Sequence, residues 1–379
     1  MSFFAFALIW FLETAGRFLP LPCRTGLRAV GDPGPDAPVF LTGNYHLTVA
    51  RLRRALRGLN CWLLVADSHG INIWCAAAGG HFTDHSVVSA LKTSGIEQRV
   101  SHRRVVLPQL AAAGIRARRV TERSGWQCAW GPVEAGDIPE YLRLEGNPDS
   151  RLRQVRFPWN RRLEMALAWA FPLGLLTASI LLFFAPALIP SFLGWVAAAS
   201  LGVFIGFPLY AGLLPQAVAL RRSDRRRRRR GLLIAWGALA ATLVLSAFLL
   251  FPAERSCLLA QGGFVLLLLL LLTVDLPGST PLLGSAFHAE KHCRVVLQNS
   301  LCRGSHDCVR VCPRCCFTPR PGGVVLNRTE RCIRCGACIV QCENDALCLR
   351  DATGRIISAQ QVRKRKLGLS GRRNVNSGG

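Results

Sequence analysis

Cys332, Cys335, Cys338 and Cys342 stand in the spacing C-x2-C-x2-C-x3-C. In that spacing three thiolates on one tight loop reach three corners of an iron–sulfur cubane, and the fourth serves a neighbouring cluster. Upstream, Cys302-Arg303-Gly304-Ser305-His306-Asp307-Cys308-Val309-Arg310-Val311-Cys312-Pro313 repeats the spacing with Ser305 where the second cysteine belongs. Crossed ligation then assigns Cys302, Cys308 and Cys342 to a first cluster, and Cys332, Cys335, Cys338 and Cys312 to a second. Zinc is the simpler alternative, but structural zinc sites favour two separated C-x2-C pairs. Ser305 either ligates weakly, leaves the first cluster with three irons, or yields its place to Cys315 or Cys316. Cys315-Cys316 is also a vicinal pair of soft ligands suited to capturing a thiophilic ion such as Hg(II). Glu343 follows the last cysteine, where such motifs usually carry proline.

A separate cysteine has a different setting. In Gly70-Ile71-Asn72-Ile73-Trp74-Cys75-Ala76-Ala77-Ala78-Gly79-Gly80, Cys75 stands between an aromatic residue and a run of side chains too small to shield it from a large flat cofactor. The plain alternative is a buried small hydrophobe after an apolar Ile71–Trp74 strand.

These groups need elements to hold them. Val39-Phe40-Leu41, Trp62 to Ala66, Ile71 to Trp74 and Val105-Val106-Leu107 read as buried strands, and helical patterns lie at Leu47 to Leu59 and Asp84 to Thr93. Strands alternating with helices predict a mainly parallel α/β sheet over residues 25–160, with ligands beyond the carboxyl ends of the strands. Cys75 falls at such an end. Residues 278–357 are cysteine-dense and poor in long periodic segments, a small α+β ferredoxin domain that depends on metal for its core. From Ser358 to Gly379 the tail is polar, basic and expected to be disordered.

Between these regions lies an expected transmembrane domain, residues 161–277, of which 163–275 are almost continuously apolar. A bilayer-spanning helix needs about 20 such residues, which predicts an α-helical transmembrane bundle of about four spans, near 164–186, 190–214, 231–252 and 256–275. The apolar start within residues 1–24 is too short for a span and lacks a signal-peptide pattern, so it reads as an interfacial or packing helix. A formal net charge of +25 invites a nucleic-acid reading. The basic run Arg225 to Arg230 instead lies in a short loop between expected spans, where the positive-inside rule places Lys and Arg in the cytoplasm. Nucleic acid is therefore not the expected partner, and both soluble parts are expected on the cytoplasmic side of the inner membrane. Eleven of the sixteen cysteines lie after residue 290; reducing conditions there favour metal ligation over disulfides.

Taken together, these motifs resemble the mercury-methylating corrinoid protein family, fused here to its two-cluster ferredoxin partner. The likeness rests on Thr42-Gly43-Asn44-Tyr45-His46-Leu47, Asn72-Ile73-Trp74-Cys75-Ala76-Ala77, Val100-Ser101-His102-Arg103 leading to Leu107-Pro108-Gln109-Leu110, Gly131-Pro132-Val133 with Asp137-Ile138-Pro139, Gly278-Ser279-Thr280-Pro281 and the ferredoxin motif. The resemblance implies a corrinoid-binding α/β domain with Cys75 as the lower axial cobalt ligand. It implies that Asn72 and Trp74 shape a cap against the corrin, that Ala76 and Ala77 let the backbone approach the ring, and that Asn44 and Gly79 complete the pocket. It further implies an anaerobic methyltransferase that passes a cobalt-bound methyl group to inorganic Hg(II), supplied by an upstream methyl-donor protein. Two [4Fe–4S] clusters, the first reducible to [3Fe–4S] by the Ser305 change, would return low-potential electrons near roughly −400 mV or below. The chain departs from that family where Ala78-Gly79 replaces Gly-Lys and where the tail ends Asn374-Val375-Asn376-Ser377-Gly378-Gly379 without a cysteine pair. Two alternatives stand beside this one: a corrinoid methyl carrier of one-carbon metabolism acting on another acceptor, and a membrane electron-transfer ferredoxin.

Overall fold

The computed structural model describes residues 3–17, 19–146, 149–214, 236–237, 258–283, 293–351 and 353–366. The chain divides into two compact units, Met1–Phe18 with Arg156–Lys291, and Leu19–Val155 with His292–Gly379. The α/β half and the cysteine-rich half thus share one unit although the apolar region separates them in sequence.

The α/β half is built on β1 (Gly26–Val30), β2 (Val39–Gly43), β3 (Cys61–Ala66), β4 (Arg104–Leu107) and β5 (Gln127–Trp130), in the order β1-β3-β2-β4-β5. β2, β3, β4 and β5 pair in parallel, and only the edge strand β1 runs antiparallel. β2 is buried along its whole length because both faces of a parallel sheet are covered. Successive side chains still alternate. Val39, Leu41, Leu64 and Ala66 enter the core with Leu91, Leu107 and Trp126, whereas Phe40, Leu63 and Val65 enter the opposite one with Val49, Leu56 and Tyr141. Gly43 lies level with Ala66, which brings the carboxyl ends of β2 and β3 to one edge.

The predicted strand Ile71–Trp74 is corrected. Asn72 is an N-cap and Ile73–Gly79 is a short helix, because a capping side chain and the helix-favouring Ala76-Ala77-Ala78 run outweigh the β-branched pair before them. The Asp84–Thr93 helix forms as expected. The one expected at Leu47–Leu59 is shorter, His46–Ala55, and turns out through Gly58 at φ +78°. β1 and β5 carried no continuous apolar run and were not anticipated.

The cysteine-rich half holds a three-stranded sheet of β6 (Arg294–Leu297), β9 (Leu347–Arg350) and β10 (Ile356–Ile357), and a hairpin of β7 (Phe317–Arg320) with β8 (Gly323–Leu326). The expectation of a disordered tail from Ser358 is corrected for its first part. Ala359–Lys366 is helical, with Ala359 and Val362 buried. Arg363 anchors it, donating to the carbonyls of Ile339 and Cys342 and pairing with Asp345. Residues 367–379 lie outside the described residues.

In the other unit, the expectation of a four-span bundle is corrected. Among the described residues two helical segments are long and apolar enough to cross a bilayer, Trp159–Phe184 and Pro186–Ile205. The expected third span lies, except for Trp236 and Gly237, outside the described residues. The fourth corresponds to a Leu258–Ser279 helix whose apolar stretch, Gln261–Leu276, is shorter. Gln261 is buried and accepts a hydrogen bond of 2.9 Å from Trp195 Nε1, so this helix packs through polar as well as apolar contacts. The N-terminal helix Phe3–Ala15 behaves as a packing helix, with Trp10 Nε1 donating to Glu164 Oε1 at 3.0 Å.

Candidate cofactor site and iron–sulfur centres

The loop that leaves β3 is tied to the end of β2 through Asn44. Its Oδ1 accepts the backbone N–H groups of Ser68 at 2.9 Å and Gly70 at 3.0 Å, and its Nδ2 donates to Asp67 Oδ1 at 3.0 Å. Asn44 is buried, and its bonds position the loop. A Cβ on Gly43 would lie 2.5 Å from Ser68 Oγ, so only glycine admits this approach.

The loop delivers Asn72 to the start of the Ile73–Gly79 helix. Asn72 Oδ1 accepts the Cys75 backbone N–H at 3.1 Å, while its Nδ2 points a donor at Cys75 Sγ, 3.3 Å away. Cys75 itself is exposed. Residues at i, i+3 and i+4 share a helix face, so Cys75 stands with half-buried Ala78 and exposed Gly79 on a low surface. Ala76 and Ala77 are fully buried and turn away from it, which corrects their expected place beneath a ring. Trp74 is half-buried at the side. His81 escaped notice in the sequence; a Cβ on Gly79 would come within 3.2 Å of its ring, so an imidazole borders the face. A soft thiol in the middle of a flat surface, oriented by an amide donor, fits the lower face of a planar metal macrocycle.

The back of this helix is pressed against a 3-10 segment, Gln109–Ala113. A Cβ on Gly114 would sit 2.3 Å from the Ala77 carbonyl oxygen. The other side of the same segment receives the cysteine-rich half. Gln341 Nε2 donates to the carbonyls of Ala112 at 2.8 Å and Ile115 at 2.6 Å, and its Oε1 accepts the Ala117 N–H at 3.2 Å. Gln109 Nε2 donates to Arg310 O at 3.0 Å, and Val155 N–H to Pro313 O at 2.9 Å. Ala112 and Ala113 pack on Val311 and Ala337, with Cys335 and Trp130 at the margin. Glu343 pairs with Arg118 at 3.2 Å, so the residue that replaces the usual proline is part of this contact. Several of these residues lie inside the quoted motifs, Gln109, Val311, Pro313 and Cys335 among them, but nothing in the spacing marked any of them for docking.

The thiols fall into two groups. Cys312, Cys332, Cys335 and Cys338, the ligands expected of the second cluster, line one recess together with Cys316, the second recess. The backbone N–H groups of Cys316 and Arg334 approach Cys312 Sγ at 3.3 Å and Cys332 Sγ at 3.4 Å. A hydrogen bond from the Cys316 thiol draws the Cys312 and Cys332 pKa values down and pushes its own up, and full burial raises that of Cys338. Arg334 is buried nearby, and its Nε and Nη1 find no partner among the described residues. Unpaired buried guanidinium donors beside four thiolates fit an anionic cluster. In the group expected to hold the first cluster, Cys308 is buried within the field of Cys302 and Cys342, and burial first, then those neighbours, pushes its pKa up to about 12. Among the described residues no three His, Cys, Asp or Glu side chains converge on a single metal ion. Cys315 joins neither group; its Sγ lies 3.7 Å from Ser150 O.

Residues 14–142 match the family described as CO dehydrogenase/acetyl-CoA synthase delta subunit. Similar curated proteins are the acetyl-CoA decarbonylase/synthase complex subunit gamma of Archaeoglobus fulgidus, 37% identical over 131 residues, and that of Methanopyrus kandleri, 35% identical over 129. The same subunit of Methanocaldococcus jannaschii is 31% identical over 149 residues. These alignments cover 34%, 34% and 39% of this chain but only 27%, 28% and 29% of the relatives. The family match over residues 14–142 takes in Asn44, Asn72 and Cys75. The resemblance to a mercury-methylating family is thereby corrected: the homology found is to acetyl-CoA synthase-type subunits, and none of these names points to mercury. The motifs behind that resemblance, the loop around Asn44 and the Asn72–Ala77 turn, lie inside the family match over residues 14–142.

Proposed function

We propose that the chain is a corrinoid-dependent methyl carrier of one-carbon metabolism whose own ferredoxin half supplies reducing electrons, as a relative of subunits in an acetyl-CoA decarbonylase/synthase complex. The observation that carries this reading is Cys75, an exposed thiol centred on a flat face at a capped helix start, within the segment that matches those subunits. A bound corrinoid supplies a cobalt centre able to accept and release a methyl group.

The protein's part is to hold and shield that group. Cys75 offers the sulfur ligand, and Asn72 orients the sulfur while fixing the helix backbone beneath it. Asn44 fixes the loop that delivers both, and Ala78 and Gly79 keep the face low enough for a ring to lie against it. Cys335 packs at the margin of the segment that backs the Cys75 helix, so the second recess lies on the route into the α/β half. Fusion keeps donor and acceptor at high effective concentration. Subunits that donate or receive the methyl group are the expected protein partners.

Anaerobic purification of the full chain with a corrinoid supplied is expected to yield about one cobalt and roughly seven to eight irons per chain. Methylated protein is then expected to pass the label to an acetyl-CoA synthase-type acceptor, with Hg(II) as a control acceptor. Iron without cobalt would leave an electron-transfer protein and end the methyl-carrier reading.

The apolar unit supports attachment to the cytoplasmic face of a membrane. In the most apolar window of the Trp159–Phe184 helix only 11% of residues are buried, and Phe171, Leu175, Ile180 and Phe183 are exposed, a surface a soluble monomer rarely leaves to water. Arg151, Arg153 and Arg156 precede it and Arg161 and Arg162 lie in its first turn, as the positive-inside rule requires of a cytoplasmic end. The protein should stay in the membrane fraction after alkaline carbonate washing; quantitative release would refute the attachment.

A further inference from the structure

The cysteine-rich half is one unit used twice, thirty residues apart. Cys302, Cys308 and Cys312 correspond to Cys332, Cys338 and Cys342. The backbone repeats with them: left-handed residues occur in the pairs Gly304 and Arg334 (φ 72° and 59°), His306 and Gly336 (59° and 82°), and Cys315 and Asp345 (48° and 53°). Such matched departures from ordinary φ show that both loops fold to the same shape, so each thiol position has a counterpart in space. The counterpart of Cys335 is Ser305.

The sequence left open whether Cys315 or Cys316 fills that corner, and the structure places both elsewhere. Cys316 is buried to 1% exposure within the second recess, its N–H 3.3 Å from Cys312 Sγ. Cys315 Sγ sits by Ser150 O, toward the α/β half. Among the described residues the second recess therefore holds five thiols, and the first site has Cys302, Cys308 and Cys342. Ser305 is exposed. A serine hydroxyl is a far weaker iron ligand than a thiolate, and water reaches this corner freely.

We infer that the first site is an iron–sulfur site with one exchangeable corner at Ser305, where the fourth iron takes a small external ligand such as water, hydroxide or a free thiol. This rests on the iron–sulfur reading given above. Three protein thiolates hold three irons; the fourth is retained only while the cluster is reduced. A one-electron oxidant converts [4Fe–4S]2+ into [3Fe–4S]+, releasing Fe2+ and one electron to the oxidant, and added Fe2+ with a reductant reverses the step. The second site, with all four corners closed by Cys312, Cys332, Cys335 and Cys338, keeps its iron under the same treatment.

The test is ferricyanide titration of the anaerobically purified full chain, read by electron paramagnetic resonance and iron content. The wild type should lose about one iron of roughly eight and develop a three-iron signal that Fe2+ and dithionite remove. Ser305→Cys should retain its iron and give no such signal, while Ser305→Ala should behave as the wild type because the hydroxyl is not the ligand. A wild type that keeps all its iron without a three-iron signal would overturn the inference, as would a Ser305→Ala variant that loses the first cluster outright. Absence of iron from every variant would defeat the iron–sulfur reading itself, and this inference with it.

Discussion

Cys75→Ala should abolish methyl transfer while leaving the fold and the iron–sulfur signals intact. Removing groups that merely orient a metal ligand costs roughly 10- to 100-fold in affinity or activity, so removing the ligand should exceed about 100-fold. The fold survives for a specific reason. Asn72 caps the helix through the backbone N–H of residue 75, which alanine retains, and the lost thiol is exposed. The absorption of the corrinoid-loaded protein should change, because the sulfur-to-cobalt transition disappears, while electron paramagnetic resonance of the clusters should not. Asn72→Ala gives the graded companion: it loses the cap, at about 1 kcal/mol, and leaves the thiol unoriented, so activity should fall by roughly 10-fold. Transfer retained by Cys75→Ala at wild-type rate would remove this residue from the mechanism.

The second large effect is expected at Gln341. Its amide makes three bonds across the contact between the two halves of one unit, and it is buried. Gln341→Leu leaves two carbonyls and one N–H without partners, at about 1–3 kcal/mol each, which loosens a contact held besides by Gln109, Val155, the Arg118–Glu343 pair and small apolar side chains. Reductive reactivation of the corrinoid should slow by at least roughly 10-fold, whereas cobalt and iron contents should match the wild type. Gln341→Glu separates geometry from packing, since it keeps one acceptor but cannot donate to Ala112 and Ile115. A structural role limited to cluster assembly would instead show as lost iron. Unchanged reactivation in both variants would show that electrons enter by another route.

Glu343 shows how a visible departure and its meaning come apart. Its difference from proline is plain in the sequence, but the reason, its pairing with Arg118, involves a residue more than two hundred positions away. The same holds for Cys316. Its spacing marks it as a spare ligand, and only the packing of its side chain assigns it to the second recess and leaves Ser305 unreplaced. The resemblance placed Ala76 and Ala77 against the ring, whereas the cap at Asn72 sets a helix phase that turns both into the core.

What the chain determined by itself was local. Spacing of cysteines within a dozen residues and uninterrupted apolar runs in β2 and β3 are properties of short segments, because thiolate reach and strand burial are decided over a few residues. What only the tertiary structure decided was which distant segments meet. The docking of Gln341 on Ala112 and Ile115, the pressing of Gly114 on Ala77, and the joining of two halves separated by an apolar region are long-range contacts among ordinary residues. Such contacts carry no periodicity or motif. They are selected by shape and by the need to satisfy buried amides, which appears only once the backbone is in place.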